Sequence, residues 1–376
     1  MGDREINKRI KTGMISRKTV DDIFQKALCE RPLTRMDIKC LLSLDGKEER
    51  ERLFEIARIL RQRYFSGGIF LYGFVYFSTY CRNHCTFCVN SASNGCVQRY
   101  RKDPVAIIDA CRHLTDSGVH CIDLTMGEDP YFYQNNDNFG YLKNLVRDIK
   151  NDVGLPLMLS PGALPRETLI DFADEEIDWY SCYQESYNPT LFQKLRPGQD
   201  YEYRLNIKYF AKSLGLLVEE GILIGIGEDA EDIVTSLCAM SKLGPHQVRV
   251  MRFIPHKNVP LRTHYGDIKK TELLIIGILR LLFPDRLIPA SLDIDGITTL
   301  EERLNAGANV ITSLVPPSMG LSGVAQPSLD IDGGNRSVEK VLPIVKKCGL
   351  EPASRDKYSV WVKKEREKIR PLQLCK

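Results

Sequence analysis

From Ile69 onward, short apolar runs alternate with stretches whose apolar residues recur every three or four positions. The runs are IFLYGFVYF (69–77), HCIDLTM (120–126), LPLMLS (155–160), WYSCYQ (179–184), LLVEEGILIG (216–225), QVRVMRFI (247–254), LIPASLD (287–293) and NVITSLV (309–315). Their length, their content of β-branched and aromatic residues and the glycines and prolines around them predict eight strands. The intervening DPVAIIDACRHLTDSG, RETLIDFADEE, YRLNIKYFAKSLG, AEDIVTSLCAMSKLG and TTLEERLNAGA predict helices, several closing on a glycine suited to a left-handed C-cap. Eight β-then-α units in roughly 260 residues fit an α/β fold of the (β/α)8 TIM-barrel type over residues 66–330, with a doubly wound open sheet as the competing arrangement.

Before the first run, DDIFQKALCE, TRMDIKCLLSL and EERERLFEIARILRQRYF carry helical spacing, so residues 1–65 are expected to form a helical N-terminal extension. Residues 331–376 are expected to form a basic helical tail packed on the barrel. No low-complexity linker divides the series.

With 52 basic and 49 acidic residues the net charge is only +3, which leaves no electrostatic footprint for nucleic acid or an anionic membrane. MGDREINKRIK lacks an apolar h-region, and the longest apolar stretch, LLIIGILRLLF (273–283), is too short for a bilayer and contains Arg280. A cytoplasmic location is expected. Most of the 12 cysteines are scattered, including Cys121, Cys182 and Cys375, and read as small buried apolar side chains of a protein in a reducing, oxygen-poor cell.

CRNHCTFC (81–88) is different, because Cys81, Cys85 and Cys88 fall on the loop leaving the first strand, at the barrel end where chemistry is located. An odd trio this close does not suit disulfides. Zinc would require His84 or a distant residue as fourth ligand, and His84 sits where its ring points away from a site shared by the three thiols. Three thiolates on a four-iron cube leave one iron open to a small molecule, and this reading is favoured.

The C-x3-C-x2-C trio with Phe87 before its last cysteine resembles the signature of the radical S-adenosylmethionine (SAM) superfamily. The resemblance implies a 4Fe–4S cluster whose open iron chelates SAM, and a 5'-deoxyadenosyl radical that abstracts hydrogen from the substrate. It also implies positions for the cofactor. Gly127 and Glu128 of DLTMGEDP are similar to the motif at the methionine ammonium, and YQES (183–186) resembles the stretch of biotin-synthase-like members that holds the ribose through Glu185 and Ser186. Arg204 matches an arginine on the methionine carboxylate, and GILIGIGED (221–229), with Gly225, is similar to the glycine-rich stretch beside the adenine. Phe87 and Ser160 complete the cofactor set. Taken singly, GEDP is a common turn, the arginine an ordinary surface residue and the glycines a relief of crowding.

Longer stretches, YFSTYCRNHCTFC, DLTMGEDPYFY, YQESYNPTLFQKLRPGQ, RLIPASLDIDGI and RLNAGANVITSLVPP, resemble the methylornithine synthases of pyrrolysine biosynthesis. That likeness implies isomerisation of L-lysine to (3R)-3-methyl-D-ornithine by hydrogen abstraction, cleavage of the Cα–Cβ bond to a glycyl radical and an alkene, and recombination. It implies a low-potential electron-donor protein as partner. Arg249 would then offer its planar fork to the α-carboxylate, with Asp123, Ser291 and Asp293 at the ammonium groups. On residue chemistry alone, Asp123 and Arg249 can equally neutralise each other inside the barrel. One departure stands out: Val89-Asn90 follows Cys88 where the family pattern has two tyrosines. It keeps open a sister enzyme acting on another amino acid. A non-catalytic metal scaffold is the alternative from another class.

Overall fold

IFLYGFVYF lies within β1 (Gly68–Ser78), a strand buried along its whole length. This is the expectation for a parallel strand covered on both faces, which reads as a continuous apolar run rather than an alternating one. The computed structural model describes residues 17–135, 137–175, 177–262, 267–325 and 335–369; MGDREINKRIK and Cys375 lie outside them.

The other seven expected strands follow in order: β2 (Cys121–Met126), β3 (Leu157–Ser160), β4 (Trp179–Ser181), β5 (Leu217–Ile224), β6 (Gln247–Arg252), β7 (Pro289–Ser291) and β8 (Val310–Leu314). They pair in parallel in the order β6-β5-β4-β3-β2-β1-β8-β7. The ring is completed between β6 and β7 by the bridge Gln247–Leu287, supported by Val248 N–H to Leu287 O at 2.9 Å. The fold is a (β/α)8 barrel, nearly closed, and the open-sheet alternative is set aside.

The helices that matter to the site begin where capping chemistry allows. α1 (Pro104–Ser117) starts at Asp103, whose carboxylate accepts from Ala106 N–H, and ends on Gly118 at φ 96°. α2 (Pro189–Leu195) and α3 (Tyr201–Ser213) follow β4, capped by Asn188 and Asp200. α4 (Ala230–Leu243) carries a reciprocal capping box between Asp229 and Asp232 and stops at Gly244, also left-handed.

The N-terminal helices Arg17–Leu28, Arg35–Leu42 and Lys47–Phe65 are present as expected. The last of these runs along Ile268–Leu282, where a Cβ on Gly277 would meet Leu53 at 3.1 Å. The tail is helical as expected, and it adds one short strand that no run of residues announced. β9 (Glu351–Pro352) pairs with the start of β1, and α5 (Arg355–Lys368) lies across the N-terminal mouth of the barrel. There Tyr358 and Val362 pack with Phe70, Tyr72, Trp179 and Leu287, and Trp361 stacks on Trp179 at 5.8 Å.

Candidate functional site at the C-terminal end of the barrel

The loop after β1 carries the three cysteines, and a separate set of polar contacts holds it in shape. The Arg99 guanidinium donates to the carbonyls of Thr79, Asn90, Ser91 and Asn94. Arg82 N–H donates to Glu128 O and Thr86 N–H to Leu195 O, both at 2.9 Å, tying the loop to the ends of β2 and α2. Gly127 is required by this approach, since a Cβ there would collide with Tyr80 O and lie 2.9 Å from Cys81 Cβ. His84 bonds Ser93 Oγ at 2.6 Å on the exposed side of the loop.

Burial, and then the neighbouring Cys85 and Cys81, push the Cys88 thiol upward; burial does the same for Cys81. A bound cationic centre reverses that preference, because it holds thiols as thiolates. Among the described residues no three His, Cys, Asp or Glu side chains converge on a single metal ion. Zinc, with bonds of about 2.3 Å, requires such convergence, whereas an iron–sulfur cube spreads its cysteine sulfurs across separate corners. Cys81 and Cys85 lie close enough to act on Cys88, and three such thiols on one loop suit an iron–sulfur cube.

Inside the barrel mouth a cavity of ≈ 140 Å³ brings together Phe87, Cys88, Asp123, Ser160, Glu185, Arg249, Ser291 and Asp293 from the expected set. Gly127, Glu128, Ser186, Arg204, Gly225, Cys81 and Cys85 are not on its wall. Glu128 is buried beside the cysteine loop, accepting from Arg82 Nε and Ala163 N–H at 3.0 Å, with Arg204 Nη1 at 3.5 Å. Burial opposes the Arg204 charge, but Cys182, Glu128, Cys85 and Glu185 outweigh it and raise its pKa. Ser186 Oγ accepts from Asn188 N–H at 3.2 Å in the turn that starts α2. Gly225, at φ 81°, donates its N–H to Glu228 Oε1 at 2.7 Å, so the loop after β5 closes on its own acid.

Arg249 does not pair with Asp123. Its Nε and Nη2 both reach Glu219 Oε1, at 2.8 and 2.7 Å, while Tyr183 and Gln247 also donate to Glu219 at 2.7 and 2.6 Å. Burial works against the Arg249 charge, yet Glu219 foremost keeps its pKa raised. Asp123 accepts instead from Ser160 Oγ at 2.7 Å and Thr125 Oγ1 at 2.9 Å. Burial, then the Glu219 charge, lifts its pKa to about 7. Asp293 is held by Arg336 Nη1 at 2.8 Å and by the N–H groups of Val324 and Ala325 at 3.0 and 2.6 Å. Glu219, Arg336 and Arg99 are thus residues that sequence reasoning missed; for Glu219, an acid inside an otherwise apolar run was the available signal.

Residues 75–237 match the radical SAM superfamily. The chain is 41% identical over 348 residues to 3-methylornithine synthase of Methanosarcina acetivorans, covering 92% of this chain and 98% of that one. The chain belongs to the 3-methylornithine synthase family. The Methanosarcina barkeri member is 43% identical over 89% of this chain and 94% of its own. A crystal structure of methylornithine synthase superposes with a TM-score of 0.85 at 41% identity, over 90% of this chain and 99% of that one. As a radical SAM enzyme of this family, the protein uses a 4Fe–4S cluster and SAM and acts on a small molecule. Val89, where the family pattern has a tyrosine, lines the cavity, and Asn90 donates to Tyr76 OH at 2.9 Å. No helix among the described residues is long and apolar enough to cross a membrane.

Proposed function

We propose that this protein isomerises L-lysine to (3R)-3-methyl-D-ornithine, the first step of pyrrolysine biosynthesis. The observation that carries the reading is the shared wall: the last cysteine of the trio and all four candidate amino-acid contacts face one cavity. Kinship at 41–43% identity over most of the chain supports the same reaction. Cys81, Cys85 and Cys88 would hold the cluster. Glu128, Gly127 and Arg204 take the methionine end of SAM, Glu185 and Ser186 the ribose, and Phe87, Ser160 and Gly225 pack the remainder. When bound, cluster and SAM together supply the 5'-deoxyadenosyl radical.

The chain's own residues do the rest. Arg249, fixed by Glu219, presents its fork to the α-carboxylate, while Asp123, Ser291 and Asp293 receive the ammonium groups. A substrate broken into two pieces must be gripped at both ends, and polar residues from β2, β6 and β7 provide grips on opposite walls. Phe74, Leu223, Met251, Phe253 and Ile294 line the space between them, excluding water that would otherwise compete for the polar contacts. A low-potential electron-donor protein in the cytoplasm is the partner this chemistry needs, and neither nucleic acid nor membrane has a role in it.

The test is anaerobic incubation of the reduced, reconstituted enzyme with labelled L-lysine and SAM. Labelled methylornithine is expected, and Cys81→Ser, Cys85→Ser and Cys88→Ser are each expected to abolish it together with the cluster. Val89 on the cavity wall favours one second reading, a sister enzyme for another amino acid. Formation of 5'-deoxyadenosine without methylornithine from lysine would select it.

A further inference from the structure

The turn between α2 and α3 folds back over the cysteine loop, with Gly198 at φ 79° making the reversal. Two side chains of that turn reach a sulfur. Gln199 Nε2 lies 3.0 Å from Cys85 Sγ and Arg196 Nη1 lies 3.4 Å from it. The other arm of the same guanidinium, Nη2, donates to Glu185 Oε1 at 2.8 Å. Arg196 is 7% exposed and its guanidinium lies 5.2 Å over the Phe87 ring.

We infer that Arg196 and Gln199 are positioning residues that set the reduction potential of the cluster through Cys85 and, by way of Glu185, couple that corner to the cofactor's nucleoside. The inference rests on the proposed role of Cys85 as a cluster ligand.

Electrostatics gives the direction. Reduction adds negative charge that the cysteine sulfurs share, so a donor and a cation at one sulfur stabilise the reduced form more than the oxidised form and raise the potential. The three corners are unequal: Cys81 meets the backbone N–H of Asn83 at 3.4 Å and Cys88 that of Asn90, while Cys85 receives an amide and a guanidinium from side chains.

Two further observations place a ligand against this clamp. Arg196 Nε and Glu185 Oε2 are buried without a partner among the described residues, and each belongs to a group already committed at its other atom. Unsatisfied buried polar atoms are costly, and they persist where something else completes them. Glu185 also sits at φ 66°, a left-handed conformation that is unfavourable for a side chain with a Cβ. Bonds from Glu185 N–H to Gly221 O at 3.3 Å and from Leu223 N–H to Glu185 O at 3.0 Å hold it there. Arg196 then fixes where the carboxylate points.

The experiment is a reductive titration of the reconstituted full-length enzyme, followed by electron paramagnetic resonance, with iron and sulfide counted for each variant and SAM affinity read from its perturbation of the spectrum. Arg196→Gln is expected to make reduction at least tenfold less favourable, about 59 mV for a one-electron couple, and to weaken SAM binding. Gln199 Oε1 also lies 3.4 Å from Arg204 Nη1 and Arg196 Nη1, so Gln199→Leu is expected to shift the potential in the same direction by less and to weaken SAM binding less than Arg196→Gln. Arg196→Lys is expected to recover part of the potential but not the SAM affinity, because an ammonium cannot hold the sulfur and Glu185 at once. Wild-type potentials in fully loaded Arg196→Gln and Gln199→Leu would overturn the inference; if Arg196→Gln does not retain cluster, Gln199→Leu decides alone. Cys85→Ser separates the two levels. A complete, unaltered cluster in that variant removes Cys85 as a ligand, whereas cluster loss there with unmoved potentials in the other variants defeats only the clamp.

Discussion

Replacing Glu219 by glutamine tests whether Arg249 is a prepared binding group or simply one half of a structural ion pair. Glu219 is fully buried, and two guanidinium nitrogens, a tyrosine hydroxyl and a glutamine amide converge on its carboxylate. Removing one partner of such a pair leaves an uncompensated buried charge and costs about 3–5 kcal/mol. Glutamine keeps the volume and one acceptor oxygen, so the lower end, about 3 kcal/mol, is expected, equivalent to a factor of about 100 in the folding equilibrium. Urea unfolding followed through Trp179 and Trp361, the only two tryptophans of the chain, measures it. Steady-state turnover at low temperature supplies the second number: with the fork no longer fixed, KM for lysine rises about tenfold or more while kcat changes less, the pattern of lost ground-state binding. An unfolding midpoint and a KM both equal to wild type would refute the idea that Glu219 holds Arg249 ready for a carboxylate.

Two other outcomes are expected. Asp123 has its pKa raised from 3.8 to about 7 by burial and then by Glu219. Its contribution to stability is therefore fully present below about pH 4 and is lost as the pH rises through about 7. Lysine binding carries the opposite dependence, strengthening across the same window as Asp123 ionises, and Glu219→Gln displaces that window to lower pH; a binding profile unchanged between pH 5 and 8 would count against Asp123 at an ammonium. Tyr358→Ala removes a fully buried ring whose hydroxyl bonds Tyr72 OH at 2.6 Å. A loss of about 3–5 kcal/mol in unfolding free energy is expected, with KM for lysine unaltered at temperatures where the variant stays folded.

The strands were readable because parallel strands buried on both faces leave continuous apolar runs; seven of the eight runs contain the strand they predicted, and the first lies within β1. The cysteine loop was readable because its chemistry is local. What escaped notice was made by distance in sequence. Glu219 and Glu220 interrupt LLVEEGILIG and are both fully buried, yet an acid inside a strand does not disclose that Arg249, 30 residues on, is its partner. Arg336 lies beyond the point where the barrel was expected to end, and it returns to Asp293 across 43 residues. The two residues of β9 are too few to form a pattern, and their place is set by pairing with β1.

The helix laid over the strand beginnings makes the barrel a vessel stoppered at its base. Tyrosine and tryptophan rings fill that floor, and the cysteine loop stands at the other end. The cavity lined by Asp123 and Arg249 also carries Cys88 on its wall, so its occupant shares one chamber with the cysteine loop.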